Sequence, residues 1–235
     1  MRYQAVIFDL FGTLVDFLTD KEYAAGRAEV AAVLDAPLDD FRRVWSTTHR
    51  DRDRGLFGSP EGDLANAARL LGLQTSAEQI RQAAQVCLKL YHKNLTPRKG
   101  AIETLTALRA NGLKTGLITG CAWEIPALWP DTAFVPLFDH TVFSCVAGMS
   151  KPQSEIYHLA CERLGIQPEH CLYVGDGGSN ELAGAEAVGM DAVLIKVPED
   201  PYPYTSRQEA LEWQGPTITS LPELLDLIEP PDLED

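Results

Sequence analysis

Short apolar runs rich in β-branched residues alternate with helical stretches over the second half of the chain. The runs predict strands, at 3–9 (YQAVIFD), 113–120 (LKTGLITG), 139–144 (DHTVFS), 171–178 (CLYVGDGG) and 190–196 (MDAVLIK). The stretches between them have helical spacing, at 101–112, 152–165 and 179–189. Strands joined by helical crossovers pair in parallel. We therefore expect an α/β fold, with a Rossmann-like parallel sheet flanked by helices.

Residues 17–94 have a different pattern, because their apolar positions recur at helical spacing and no strand-like run appears. Turn signals interrupt them at 55–63 and 71–76. This pattern predicts a small all-helical domain inserted after the first strand. The predicted organisation is a core at 1–16 and 95–235, with a helical insertion at 17–94 and a last short helix at 220–229.

The charge of the chain limits its partners. The formal net charge is -14 and the sequence pI is about 4.7. A field of this sign repels nucleic acid and anionic membrane surfaces, so we expect neither as a partner. An anionic small-molecule substrate would need local positive charge at its binding site.

Cysteine usage and hydropathy point to the cytoplasm. The five cysteines are widely spaced and form no C-x-x-C pair, which is typical of reduced thiols. No apolar run reaches the length of a transmembrane helix, and a strand begins at once with no signal peptide before it. We expect a cytoplasmic monomer or homodimer that acts on a small molecule.

Candidate functional residues follow the predicted strands, where parallel sheets bind their ligands. Asp9 ends the first strand, and the turn at Gly12 offers free backbone N–H groups for an anion. Asp9 alone is compatible with a nucleophile, a metal ligand or a helix cap. Thr119 and Gly120 end the second strand with a hydroxyl and an unobstructed N–H, although a plain turn explains this pair equally well.

Charged residues follow two later segments. Lys151 precedes a proline at a predicted helix start, where the helix dipole disfavours positive charge, so it is a candidate for offsetting a nearby acid. Asp176 follows the strand 171–175, and two glycines let the backbone approach a ligand. Carboxylates in such a turn suit Mg²⁺. Glu181 either serves as an acid in the first helical turn or supports the metal ligands indirectly.

Together these segments resemble the haloacid dehalogenase superfamily of hydrolases. The motifs occur in order: D-x-F-G-T-L at 9–14, Thr119, S-K-P-x-x-x-I-Y at 150–157 and G-D-G-x-S-x-E-L at 175–182. The resemblance implies a helical cap at 17–94 and makes Asp9 a nucleophile that forms a covalent aspartyl intermediate. It also implies that Thr119 and the N–H of Gly120 hold the oxygens of the transferred group, and that Lys151 orients Asp9. Mg²⁺ would be bound by Asp9, the carbonyl of Phe11 and Asp176.

Phe11 departs from the superfamily's phosphatases, which usually carry an aspartate there as general acid and base. That help is typically worth about 10² to 10⁴ in rate. The dehalogenases of the superfamily have an aromatic residue at this place, but they use no metal and usually carry serine where this chain has Asp176. Asp176 therefore favours a Mg²⁺-dependent phosphatase. A dehalogenase and a catalytically weak metabolite-binding member remain the alternatives.

The predicted substrate site combines the loop that contains Asp9, residues 9–14 (the nucleophile loop), with the insertion. Phe11 and Gly12 would line it, together with Thr119 and Gly120. The dense basic segment at 49–54 suggests that Arg50 and Arg54 clamp an anionic substrate. The alternative is a solvated helix face whose arginines pair with neighbouring aspartates.

Overall fold

A parallel sheet forms the centre of the protein. The structure is a computed structural model that describes residues 2–198 and 207–228. Within them, six parallel strands form one sheet in the order β3-β2-β1-β4-β5-β6. The strands are β1 (Ala5–Phe8), β2 (Lys114–Thr119), β3 (His140–Phe143), β4 (Cys171–Gly175), β5 (Asp191–Ile195) and β6 (Thr217–Ile218). The predicted α/β class is confirmed.

The middle strand β1 is covered on both faces, which explains its uninterrupted apolar sequence. All four of its residues are buried. Val6 and Phe8 join the hydrophobic cluster on one face, while Ala5 and Ile7 join the cluster on the other. Because these side chains are fixed on both sides, the residue after the strand, Asp9, is held at the carboxyl edge of the sheet.

Helices cover both faces of the sheet and form the inserted segment. In chain order they are α1 (Asp20–Val33), α2 (Leu38–Thr47), α3 (His49–Asp53), α4 (Pro60–Leu70), α5 (Ala77–Asn94), α6 (Ala101–Ala110), α7 (Glu124–Leu128), α8 (Ser144–Ala147), α9 (Ser154–Leu164), α10 (Glu181–Ala187), α11 (Gln208–Glu212) and α12 (Glu223–Ile228). No helix in this described part of the chain is apolar over a length that would cross a bilayer.

Helices α1, α2, α4 and α5 share a hydrophobic cluster that is separate from the two clusters of the sheet. Capping boxes begin α1 and α5: Thr19 pairs with Glu22, and Ser76 pairs with Gln79. The division into core and insertion at residues 17 and 94 stays a prediction, to which this separate cluster lends support.

The structure differs from the predicted elements in several places. Helix α4 begins at Pro60, inside the predicted turn, because Ser59 caps it by accepting a hydrogen bond from Gly62. Helix α9 begins at Ser154, so Lys151 lies in the preceding turn and not at a helix start. Strand β6 and helices α7, α8 and α11 were not predicted. The last residue of the predicted final helix, 229, lies outside the described residues.

Candidate active site

The carboxyl ends of the strands and the helical insertion enclose one cavity of about 240 Å³. Its lining includes residues from both parts of the protein. The core contributes Asp9, Phe11, Gly120, Cys121, Ala122, Glu124, Ile125, Lys151, Asp176, Gly178, Ser179 and Glu181; the inserted segment contributes Phe17, Tyr23, Trp45, His49, Arg52, Asp53 and Tyr91.

Hydrogen bonds through the backbone N–H and both carboxylate oxygens hold Asp9 in place. Its N–H donates to the carbonyl of Val174 in the neighbouring strand β4 at 2.9 Å. Lys151 Nζ donates to Asp9 Oδ1 at 2.6 Å, and Thr13 Oγ1 donates to Oδ2 at 3.3 Å. The side chain is therefore oriented before any substrate arrives.

Lys151 lies between two buried acids. Its Nζ contacts Glu181 as well as Asp9, and it is 3.3 Å from the hydroxyl of Tyr173. Burial alone would lower the pKa of Lys151, but the charges of Asp9 and Glu181 raise it by more, so the ammonium is retained. Lys151 therefore keeps its positive charge beside Asp9.

Glu181 is engaged by donors of the protein. Tyr173 donates to its Oε2 at 2.9 Å and the N–H of Gly177 donates to its Oε1 at 3.2 Å, in addition to the contact with Lys151. Glu181 therefore holds Lys151 in place, which agrees with an indirect role in the site. This contact is also compatible with its place in the first turn of α10.

The buried carboxylates repel one another. Burial, followed by the charge of Glu181, raises the pKa of Asp9 to about 6 despite Lys151. Burial, followed by the charge of Asp9, raises the pKa of Asp176 to about 6. Burial also raises the pKa of Glu181 to about 7. The site thus holds excess negative charge, which a further cation would relieve.

Asp176 reaches the nucleophile loop because residue 12 is glycine. The N–H of Gly178 donates to Asp176 Oδ1 at 2.9 Å, which fixes the carboxylate. A Cβ at Gly12 would lie 2.1 Å from Asp176 Oδ2, and Gly12 has a φ of +79°. A side chain at this position would displace the carboxylate, so the turn requires glycine for space as well as for conformation.

The acids fit a divalent metal ion. One oxygen from each of Asp9, Asp176 and Glu181 lies within 4.8 Å of the others. Hard oxygen donors of this kind suit Mg²⁺, which usually binds to one or two carboxylates and otherwise to water or phosphate oxygens. Among the described residues, Glu181 has three protein donors on its two oxygens, against two each for Asp9 and Asp176, so Asp9 and Asp176 are the carboxylates better placed to bind the ion. The carbonyl of Phe11 stays a predicted third ligand.

The end of strand β2 presents an unused hydroxyl. Thr119 is fully buried, and its Oγ1 has no hydrogen-bond partner among the residues that the structure describes. The next residue, Gly120, is exposed and lines the cavity. An unpaired buried hydroxyl is costly, and an oxygen of a bound ligand would satisfy it.

Phe11 lines the cavity with an aromatic ring and offers no acidic group there. Its ring centroid lies 6.2 Å from that of Phe17 and 6.5 Å from that of Tyr91. Phe11 therefore joins the nucleophile loop to the inserted helices by packing and gives no proton. Gly12 lies against Asp176, and its predicted contact with substrate stays a prediction.

The geometry does not support the prediction for Arg50 and Arg54. Both are exposed, and neither lines the cavity. Residues four apart share one helix face, so Arg50 and Arg54 point to solvent together while Arg52, two positions from each, points inward. Helical periodicity could have identified Arg52 within the same basic segment.

Arg52 presents a buried guanidinium at the cavity. The residue is 4% exposed, and its Nη1 donates to the carbonyl of Trp45 at 2.6 Å and to Thr48 Oγ1 at 2.7 Å. The guanidinium carbon lies 3.6 Å from the centroid of the Trp45 ring, a cation–π contact. These contacts hold the guanidinium in place beside the cavity, where burial lowers the pKa of Arg52.

Sequence reasoning missed two further residues at the site. Glu124, in α7, is 2% exposed and lines the cavity, and burial raises its pKa. Its signal was its place five residues after Thr119, beyond the end of β2. Arg207 reaches Asp176 from near the end of the chain, and nothing in the local sequence indicated this contact.

The chain is similar to several known proteins. The sequence model of a family described as haloacid dehalogenase-like hydrolase matches residues 3–189. A glyceraldehyde 3-phosphate phosphatase of Methanocaldococcus jannaschii is 29% identical over 234 residues, which is 96% of each chain. The solved structure of a HAD phosphatase from Thermococcus onnurineus is 25% identical with a TM-score of 0.64, and the match covers 95% of this chain and 97% of that one.

A structure of L-2-haloacid dehalogenase from Xanthobacter autotrophicus with chloropropionic acid covalently bound shares the fold. It is 21% identical with a TM-score of 0.61, and the match covers 96% of this chain and 98% of that one. The fold therefore occurs with both chemistries, and the side chains of the site must distinguish between them.

Proposed function

Since the chain belongs to the haloacid dehalogenase-like hydrolases, we propose that this hydrolase is a Mg²⁺-dependent phosphatase for a small phosphorylated metabolite. The observation that carries the proposal is the buried carboxylate of Asp176 next to the nucleophile loop. Phosphatase names among the relatives support it, as in glyceraldehyde 3-phosphate phosphatase.

Asp176 argues against metal-free dehalogenation. Two like charges about 4 Å apart repel by roughly 4 kcal/mol at an effective dielectric constant near 20. A dehalogenase, whose nucleophile attacks a neutral carbon, gains nothing from a second carboxylate beside Asp9. A phosphatase gains a place for a cation that lets an anionic nucleophile meet an anionic phosphoryl group.

The residues of the chain divide the chemical work. The carboxylate of Asp9 attacks phosphorus while the bond from phosphorus to the leaving alkoxide oxygen breaks, which gives an aspartyl phosphate; water then hydrolyses it to phosphate and the free carboxylate. Lys151 keeps Asp9 oriented and balances its charge. The hydroxyl of Thr119 and the N–H of Gly120 hold phosphoryl oxygens. Asp9, Asp176 and the carbonyl of Phe11 would hold Mg²⁺, which would neutralise negative charge on the phosphoryl group.

Glu124 takes over the proton transfer that Phe11 lacks. Its carboxyl lines the cavity that contains Asp9, and its raised pKa favours the protonated form needed to donate to a leaving alkoxide. After transfer, the carboxylate accepts a proton from the attacking water. Asp53 is less suited, because His49 Nδ1 already lies 3.1 Å from its Oδ2.

The inserted helices supply the substrate side of the cavity. We assign residues 17–94 to a cap, and Arg52 takes the place predicted for Arg50 and Arg54. Its buried guanidinium suits a second negatively charged group on the metabolite, such as a carboxylate. The five cysteines, which are all buried and form no disulfide, support the proposal of a cytoplasmic location.

A substrate panel tests the proposed function. We expect phosphate release from small phosphomonoesters with Mg²⁺, and its loss with a chelator. Halide release from 2-haloacids in the presence of chelator would instead establish a dehalogenase. Tight metabolite binding without either activity would establish a binding protein.

A further inference from the structure

A buried arginine contacts the carboxylate that we assign to the metal. Arg207 Nη1 lies 3.0 Å from Asp176 Oδ2, and the two side chains are 4% and 3% exposed. The guanidinium carbon of Arg207 also lies 4.8 Å from the centroid of the Phe17 ring. Solvent screens a buried ion pair of this kind only weakly, so the arginine acts strongly on any ion bound to Asp176.

Helix α11 fixes the position of Arg207, which immediately precedes it. Glu209 accepts hydrogen bonds from the N–H groups of Leu182 at 3.1 Å and Ala183 at 2.7 Å, in the first turn of α10. Next to it, Ala210 packs against the loop after β4, where a Cβ added to Gly177 would lie 2.9 Å from that of Ala210. The segment is therefore docked on the Asp176 loop.

Arg207 contacts the oxygen of Asp176 that faces Gly12 in the nucleophile loop. Oδ1 accepts the N–H of Gly178, whereas Oδ2 is the oxygen directed at Gly12. A metal ion between Asp9 and Asp176 would bind the same carboxylate. Arg207 and the ion therefore meet at one carboxylate, and their positive charges repel.

We propose that Arg207 is a built-in counter-ion of the metal site, which neutralises Asp176 in the metal-free protein and lowers its affinity for Mg²⁺. The inference rests on the metal site of the proposed function. Three acids, Asp9, Asp176 and Glu181, then face two permanent cations, Lys151 and Arg207. In the metal-free protein these two cations let the acids lie close together. When Mg²⁺ binds, it must either displace Arg207 or lie close to it and be repelled.

The test is calorimetric titration of Mg²⁺ into the metal-free full chain at pH 8. Removing the charge in Arg207→Gln should lower the Kd for Mg²⁺ by about tenfold or more, because the repulsion between neighbouring charges is lost. Arg207→Lys retains the charge and should stay near the wild-type Kd. The matched control is Arg163→Gln, on the exposed face of α9, which should leave the Kd unchanged.

A second variant keeps the test independent of the stability of Arg207→Gln. Glu209→Gln weakens the docking of α11 while leaving Arg207 in the chain, and it should also tighten Mg²⁺ binding. Circular dichroism establishes which variants are folded. A folded Arg207→Gln or Glu209→Gln protein with an unchanged or higher Kd would overturn the proposal.

The outcomes separate this inference from the proposed function. If the wild type shows Mg²⁺-dependent phosphate release but Arg207→Gln has the wild-type Kd, the counter-ion proposal alone fails. If neither protein binds Mg²⁺, the metal site and the counter-ion proposal fail together. If Mg²⁺ binds as expected without any phosphate release, only the proposed reaction is wrong.

Discussion

At the scale of single residues, the site depends on how closely a few charges approach one another. Lys151 contacts Asp9 and Glu181, while Arg207 contacts Asp176. Each acid is buried, so the electrostatic interaction between neighbouring charges is strong. This arrangement explains why small changes in side-chain volume or charge should have large effects on activity.

Gly12 offers a test of the approach between Asp176 and the nucleophile loop. Gly12→Ala would place a Cβ 2.1 Å from Asp176 Oδ2, so we expect at least a tenfold loss of phosphate release and weaker Mg²⁺ binding. Gly112→Ala is the matched control, because Gly112 has a similar φ of +80° with no neighbouring atom within 4 Å.

Both variants should lose about 1 kcal/mol of stability from the left-handed backbone conformation. Steady-state kinetics and thermal denaturation separate the two effects. Equal activity of the two glycine variants would show that the close approach of Asp176 does not matter.

The proposed role of Glu124 predicts a dependence on the leaving group. Glu124→Gln should lower kcat by about 10²-fold for alkyl phosphates, whose leaving alkoxide needs a proton. The same variant should stay within a few-fold of wild type on p-nitrophenyl phosphate, whose leaving group is already stable as an anion. Steady-state assays of both substrates check this.

Asp53→Asn is the matched control for Glu124, because Asp53 also lines the cavity. It should affect the two substrate types alike. If Glu124→Gln lowers the two rates by the same factor, or by none, Glu124 is not the proton donor.

At the scale of elements, the strands of four to six residues were predictable and the two-residue strand β6 was not. The runs containing β1, β2, β4 and β5 are apolar because the sheet is covered on both faces, and this pattern is visible locally. Strand β6 has two residues and α11 has five, too few for any periodicity. Their conformation depends on distant contacts, such as the capping of α10 by Glu209.

Helix α4 contains a buried acid that should make stability depend on pH. Asp63 is 1% exposed, and neither carboxylate oxygen has a hydrogen-bond partner among the described residues. Burial, followed by the charge of Glu124, raises the pKa of Asp63 to about 8, against the opposing effect of Arg52. The folded protein thus keeps a proton that the unfolded chain releases near pH 4.

The sign of this effect follows from the raised pKa. The contribution of Asp63 to stability is fully present below about pH 4 and is lost as the pH rises to about 8. Asp63→Asn should therefore increase the free energy of unfolding at pH 8.5 by about 1 to 3 kcal/mol, and by less at pH 5. Denaturant titrations at the two pH values measure the difference.

Glu61→Gln, in the same first turn of α4, is the control for the helix dipole. It should show no comparable gain at pH 8.5. A loss of stability in Asp63→Asn at that pH would mean that attraction to Arg52 outweighs the cost of burial.

At the scale of the whole molecule, the cavity lies where the sheet meets the inserted helices. Ser144 Oγ donates to the carbonyl of Asp53 at 2.6 Å, and Trp123 Nε1 donates to that of Gly55 at 3.3 Å. These contacts join the core to α3 and to the turn after it. They hold Arg52, in α3, over the carboxyl edge of the sheet, where Asp9 lies.

The fold of the whole molecule also determines where the charges of the chain lie. The chain has a net charge of -14, yet Lys151 and Arg52 place buried positive charge around one small cavity. The four ordered motifs predicted that Asp9, Thr119, Lys151 and Asp176 would share one edge of the sheet. Helical periodicity separates Arg52 from Arg50 and Arg54, but which of these two helix faces is the inner one depends on the packing of the insertion against the core.

The central claim is that Asp9 carries the phosphoryl group during turnover. The measurement is mass spectrometry of the protein, acid-quenched after mixing with Mg²⁺ and a phosphomonoester that the substrate panel identifies. We expect one added phosphoryl group, located at Asp9, with neither this adduct nor phosphate release in Asp9→Asn. Undiminished phosphate release by Asp9→Asn, or a phosphoryl group on another residue, would contradict the account.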